Sequence, residues 1–214
     1  YITTENILFA IKKRMKEKCR FILFSSAAVY GNPLSLPMNE TQSLNPLSPY
    51  ALHKRAAEEV CEFVHRNYLI DVKVLRIFSV YGPGLKKQIF WDMHNKVKQT
   101  GKLQLLGSGE ESRDYIYIDD LVEAVSLIAD AASFDEIYFN VANGEECTIK
   151  KAATVFAAKV GLCESDISFI GTRREGDPVN WRADISRLKK LGYSKSLSFS
   201  QGMDNYIEWL KSMD

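Results

Sequence analysis

The chain has 214 residues, enough to bury a sizeable core in one domain or in a domain with a small lobe. Lys and Arg total 28 against 27 Asp and Glu, a formal net charge of +1, so no basic field draws nucleic acid or an anionic membrane surface. No apolar run approaches membrane-spanning length, and Tyr1-Ile2-Thr3-Thr4-Glu5 is not a signal peptide, so the expected location is cytoplasmic.

In chain order, residues 2–18 read as a helix: Ile7, Leu8, Ile11 and Met15 recur at helical spacing, with the basic residues late, where the backbone dipole is negative. The apolar run 21–24 reads as a strand buried on both faces, the kind found in parallel sheets. A loop rich in Pro and Asn spans 31–49. It leads into a helix over 50–68, with Ser48 as its N-cap and Pro49 at its first position. Residues 72–78 form the second strand, ending in the turn Gly82-Pro83-Gly84, and strand, helix and strand make a parallel β-α-β unit.

Beyond Gly84 the pattern predicts helices over 89–99, 119–131, 149–160 and 201–211. Short strands are expected at 103–106, 136–140 and 166–170, with extended chain at 114–118. A parallel sheet of this kind should begin with a strand, a Gly-rich turn and a helix that cradles a pyrophosphate. The sequence contains no GxGxxG, and Gly107-Ser108-Gly109 stands alone and late. The expectation is that the N-terminal part of the fold precedes Tyr1.

Cys19, Cys61, Cys147 and Cys163 contain no CxxC pair and no His at metal-ligand spacing, so they read as reduced thiols. His53, His65 and His94 share no spacing that makes a metal site. Asp119-Asp120, at a helix start, complements the dipole. Phe90 and Trp91 pack a lobe helix or line a pocket, and Trp181 either covers a bound base or packs the lobe.

The chemistry-bearing residues are Tyr50 and Lys54, four apart and therefore on one helix face, and Ser26 at the end of a buried strand. A phenol is a poor base at neutral pH, its ordinary pKa being about 10. A neighbouring ammonium and the positive end of a helix both favour its charged form. Such a trio can remove a hydroxyl proton while hydride leaves the carbon below. A YxxxK pair alone arises often by chance on helices.

Four ordered segments carry more weight. They are Phe24-Ser25-Ser26-Ala27-Ala28-Val29-Tyr30-Gly31, Ser48-Pro49-Tyr50 through Lys54, Leu75 through Gly84, and Arg113-Asp114-Tyr115-Ile116-Tyr117-Ile118-Asp119-Asp120. Together they resemble the extended short-chain dehydrogenase/reductases, in particular the NAD-dependent epimerase/dehydratase family typified by UDP-glucose 4-epimerase.

The resemblance implies an α/β fold with a Rossmann-like parallel sheet, the C-terminal part of the extended fold. Residues 1–84 would be the remaining part of the NAD-binding domain, and 85–214 mainly a small α/β substrate lobe interleaved with the last sheet elements. It implies Tyr50 as catalytic base and acid, Lys54 on the nicotinamide ribose, and Ser26 on the sugar hydroxyl. Ser25, Phe78 and Val80 would line the nicotinamide pocket. Ser79, Arg113, Arg174 and Asp177 would contact a nucleotide-diphosphate sugar, the arginines as phosphate forks. Arg173 reads as surface charge. The cofactor implied is NAD, with NADP as the alternative, and the partner is a second copy of the chain, paired through a helix bundle.

Two departures from the family's pattern bear on the reaction. Ala27-Ala28 stand where the family's dehydratases carry Asp-Glu, and alanine transfers no proton, so 4-epimerisation or keto reduction gains over dehydration and decarboxylation. Ser79 stands where sugar epimerases usually carry Asn, which leaves the sugar open. The leading expectation is a nucleotide-sugar 4-epimerase. The rivals are a keto-reductase using the same trio and a catalytically silent binding module.

Overall fold

A computed structural model describes residues 1–14, 19–68, 70–131, 136–172 and 178–213. From the N-terminus come α1 (Ile2–Arg14), β1 (Arg20–Ser26), a 3-10 turn at Ala27–Tyr30, α2 (Pro49–Tyr68), β2 (Asp71–Ile77) and β3 (Ser79–Tyr81). Then follow α3 (Gln88–Thr100), β4 (Leu103–Leu105), β5 (Ser112–Arg113), β6 (Tyr115–Tyr117), α4 (Ile118–Asp130), β7 (Tyr138–Val141) and β8 (Cys147–Thr148). The chain closes with α5 (Ile149–Lys159), β9 (Ile167–Phe169), α6 (Ser186–Lys190) and α7 (Phe199–Lys211). Met15, placed on the first helix by its spacing, lies outside the described residues.

The main sheet has the order β1-β2-β7, all parallel. β2 is its centre, and Val72, Lys73, Val74, Leu75 and Arg76 are all buried, as a strand covered on both faces requires. On one face, α1 and α2 bring Leu8, Ala57, Cys61 and Val64 against Leu23, Val72 and Val74. On the other, α4 supplies Ala124 and Ile128, and the segment before and within α6 supplies Trp181, Ala183, Ile185 and Leu188, around Leu75, Phe139 and Val141. A second apolar cluster, with Phe90, Met93, Leu103, Phe156 and Tyr206 near its middle, gathers α3, α5 and α7.

The helix expected over 50–68 is present with its cap: Ser48 Oγ accepts from Ala51 N at 3.2 Å and Ser48 O from Leu52 N at 2.9 Å. The second strand ends earlier than the apolar run suggests. Phe78 N still donates to Val141 O at 3.1 Å, but Ser79 N donates to Asp114 O at 3.0 Å, and β3 then pairs in parallel with β6. The main chain thus passes from one sheet to another within two residues, which no periodicity registers. The expected extended stretch 114–118 is β6 with α4 beginning at Ile118. β5, β8 and α6 are too short to leave a periodic signal.

Among the described residues no helix is long and apolar enough to cross a membrane. Nor does any group of three or more His, Cys, Asp or Glu form a metal-binding cluster there. All four cysteines are free, and burial pushes the Cys61 thiol up to about 12, an inert apolar filler of α2.

Candidate active site

Ser26 ends β1 and caps the following 3-10 turn, its Oγ accepting from Ala28 N at 3.2 Å. One turn into α2, Lys54 reaches back across the end of the sheet, and its Nζ donates to Phe24 O at 2.5 Å. The same ammonium stands 5.8 Å from the centre of the Tyr50 ring. Serine, tyrosine and lysine are therefore brought to the carboxyl end of one parallel strand, the end at which open α/β sheets bind ligands. The site faces outward: Tyr50 is 57% exposed and Phe24 48%.

Behind this edge the residues are packed. Ser25 is buried and its hydroxyl donates to Glu58 Oε1. Phe78 is buried between Tyr30 and Trp181, with ring centres 6.4 and 5.8 Å away. Ser79 and Val80 are half-buried on β3. Ala27 is fully buried and Ala28 half-buried, so neither position presents a proton-transferring group.

Arg113 lies on β5 with its guanidinium 5.5 Å from the Trp181 ring centre. Its Nη1 donates to Ser112 O at 2.7 Å and Val179 O at 3.2 Å. Trp181 is itself buried, and its indole N–H donates to Gly31 O at 3.0 Å. Packing is thus the role the structure gives Trp181, with the Arg113 guanidinium over its ring. Arg173, Arg174 and Asp177 lie outside the described residues.

Phe90 is core, packed on Tyr81, Tyr115 and Phe156. Asp120 does more than complement a helix dipole: fully buried, its Oδ1 accepts from Ser196 N at 2.8 Å and Ser196 Oγ at 2.6 Å, tying α4 to the segment before α7. Asp114, also fully buried, accepts from Asn143 N and Ala183 N, each at 3.0 Å. Burial pushes its carboxyl up to about 7 against the pull of those backbone donors.

A set of residues that the sequence motifs do not single out lies beneath the trio. Arg76, on β2, forks onto Glu58 of α2 with Nη2 at 2.8 Å and Nε at 3.1 Å from Oε2, and both side chains are almost wholly buried. Arg76 Nη1 also donates to Tyr30 Oη at 3.0 Å and Glu40 O at 2.8 Å. Tyr30 Oη donates to Asn140 Oδ1 at 2.7 Å. Two features of the sequence hint at the pair: a charged residue in the middle of the apolar run 72–78, and a Glu four residues beyond Lys54 on the buried face of α2.

Residues 1–142 match the NAD dependent epimerase/dehydratase family. The chain belongs to that family. It is 29% identical over 94% of its length to an uncharacterized UDP-glucose epimerase of Bacillus subtilis, and spans 65% of that relative. It is 28% identical over 98% of its length to a putative UDP-glucose 4-epimerase of Methanocaldococcus jannaschii, spanning 68% of it. Its fold superposes with a TM-score of 0.90 on the UDP-glucuronic acid 4-epimerase of Bacillus cereus, solved in complex with UDP-glucuronic acid and NAD, at 27% identity. That likeness covers 100% of this chain and 67% of the solved one. Family membership supports the Rossmann-type α/β fold expected from the motifs.

Proposed function

We propose that this chain carries the catalytic face of an NAD-dependent nucleotide-sugar 4-epimerase, with Tyr50 as the proton-transferring group. The observation that supports the reading is the bridge from Lys54 to Phe24 O, which ties the helix carrying Tyr50 and Lys54 to the strand that ends at Ser26. The donor set fits the nicotinamide-ribose end of NAD: an ammonium for ribose oxygens, a phenol hydroxyl beside it for the reacting sugar hydroxyl, and the exposed face of Phe24 for a flat ring. When bound, NAD supplies a reversible hydride acceptor.

The chain's own residues do the rest. Tyr50 Oη takes the proton from the sugar 4-hydroxyl and later returns it. Lys54, its ammonium 5.8 Å from the Tyr50 ring centre, holds ribose. Ser26 Oγ orients the reacting hydroxyl. Arg113, with Arg174, would bind the diphosphate and Asp177 a nucleotide ribose hydroxyl, while Ser79, half-buried on β3, would contact the sugar. Ala27 and Ala28 leave no acid and base for expelling water, so oxidation is followed by return of hydride rather than by elimination. The relatives named above support a UDP-sugar as the substrate class.

The reading includes a homodimer paired through α1 and α2, whose outer surfaces expose Ile2, Ile7, Phe9, Leu52 and Phe63. In a coupled assay with UDP-glucose and NAD, Tyr50→Phe should lower turnover at least ~100-fold while leaving nucleotide binding intact. Turnover retained within a factor of about two would remove Tyr50 from the chemistry and the proposal with it.

A further inference from the structure

Ser25, Arg76 and Asn140 stand in register across β1, β2 and β7, at the level of the sheet just beneath Ser26. Glu58 descends onto this row from α2. Its carboxylate accepts from Ser25 Oγ and from the Arg76 fork. The row is closed on its far side by Tyr30, which ends the 3-10 turn that Ser26 caps, and by Glu40, whose Oε1 accepts from Asn140 N at 2.9 Å. Glu58 is 1% exposed and Arg76 3%, so the pair is cut off from water.

Both halves of the trio are joined to this row. Ser26 follows Ser25 directly and begins the turn that delivers Tyr30. Tyr50 and Lys54 precede Glu58 by eight and four residues on one helix face, about 12 and 6 Å along the axis. A buried ion pair is weak as a source of stability, because well-packed apolar residues of the same volume generally do as well. What a bidentate fork adds is direction: an apolar contact tolerates rotation or sliding of a helix, whereas a fork fixes both. Tyr50 stands largely exposed, so its position depends on how α2 is held further along.

We propose that Glu58 and Arg76 are positioning residues that fix the rotation and height of α2 on the sheet and so set Tyr50 and Lys54 against Ser26. This rests on the functional reading above, in which the trio acts as one unit. The test uses the full chain and the double substitution Glu58→Leu with Arg76→Met, which replaces the pair by apolar side chains of similar volume. The double variant should still fold but unfold at a lower temperature, because Ser25 Oγ and Glu40 O lose their buried partners. Turnover of UDP-glucose with NAD should fall about 10- to 100-fold with KM within about twofold, the range expected when reacting groups are misplaced by a fraction of an ångström to an ångström. Amide exchange over residues 51–55 should become at least about tenfold faster.

Glu58→Asp is the second variant, keeping the charge but shortening the reach by one methylene. If the pair merely balances charge, aspartate restores both kcat and exchange. If it positions α2, both remain altered. A folded double variant or Glu58→Asp with unaltered protection at 51–55 overturns the proposal, as does unaltered kcat where the parent turns over. Exchange is read without turnover, so it decides the positional claim by itself. Tyr50→Phe with undiminished turnover would instead sink the functional reading, and the exchange rates would still decide whether the pair holds α2.

Discussion

Asp114 offers a direct measurement of what burial costs this fold. Its carboxylate is fully buried where the β5–β6 junction, the segment after β7 and the chain before α6 meet, and backbone donors Asn143 N and Ala183 N each lie 3.0 Å away. Burial raises its pKa from 3.8 to about 7. The folded value lies above the unfolded one, so the associated stability is fully present below the unfolded pKa and is lost as pH rises through about 7. At about 1.36 kcal/mol per unit, moving from about pH 5.5 to pH 8.5 spans some 1.5 units below the folded pKa and removes ~2 kcal/mol. Asp114→Asn abolishes this titration. It also turns an amide NH2 toward one of two N–H donors, a pH-independent loss of about 1–3 kcal/mol. Urea unfolding of both proteins across that range isolates the effect, because the remaining groups cancel in the difference. The gap between wild type and Asp114→Asn should narrow by ~2 kcal/mol toward alkaline pH. Parallel profiles would show that Asp114 is ionised in the fold throughout, and the reasoning from burial would be wrong.

Two further outcomes follow from the same geometry. Gly31 has φ +64°, and a Cβ there would collide with the backbone oxygen of Asn45, so Gly31→Ala should destabilise the chain by about 1–3 kcal/mol in denaturant melts, and a neutral effect would mean that the loop over 32–47 gives way freely. Arg113→Met keeps the stack on Trp181 but removes the charge. It should raise KM for UDP-glucose about tenfold with kcat little changed, and an unaltered KM would remove Arg113 from the diphosphate site.

What the sequence shows and what it hides divide along the range of the interactions involved. The trio is legible because two of its members sit on one helix at a fixed spacing and the third ends a strand whose apolar run announces itself. The cap of α2 is legible for the same reason, Ser48 and Pro49 being adjacent to what they cap. The lock beneath the trio is not, since Glu58 meets Arg76 across 18 residues and Tyr30 meets Asn140 across 110, and no local pattern encodes such meetings. The transfer of the chain from one sheet to the other at Phe78 is equally hidden, being set by which carbonyl each N–H finds. Asp120 reads as a complement to a helix dipole because its true partner, Ser196, lies 76 residues on.

The two large apolar clusters share little. Ile118, at the junction of β6 and α4, is the residue that packs against both among those described. One cluster is built on the main sheet, the other on α3, α5 and α7, and the two meet across β3 and β6, where Val80 and Ile116 belong to the first while Tyr81, Tyr115 and Tyr117 belong to the second. Substitutions around Phe156 or Tyr206 are therefore felt first at β3 and β6, and only through them at the sheet that carries Ser26. A change in the outer cluster thus reaches the strand that ends at Ser26 at second hand, by way of the β3–β6 pair and the tie from Asp120 to Ser196.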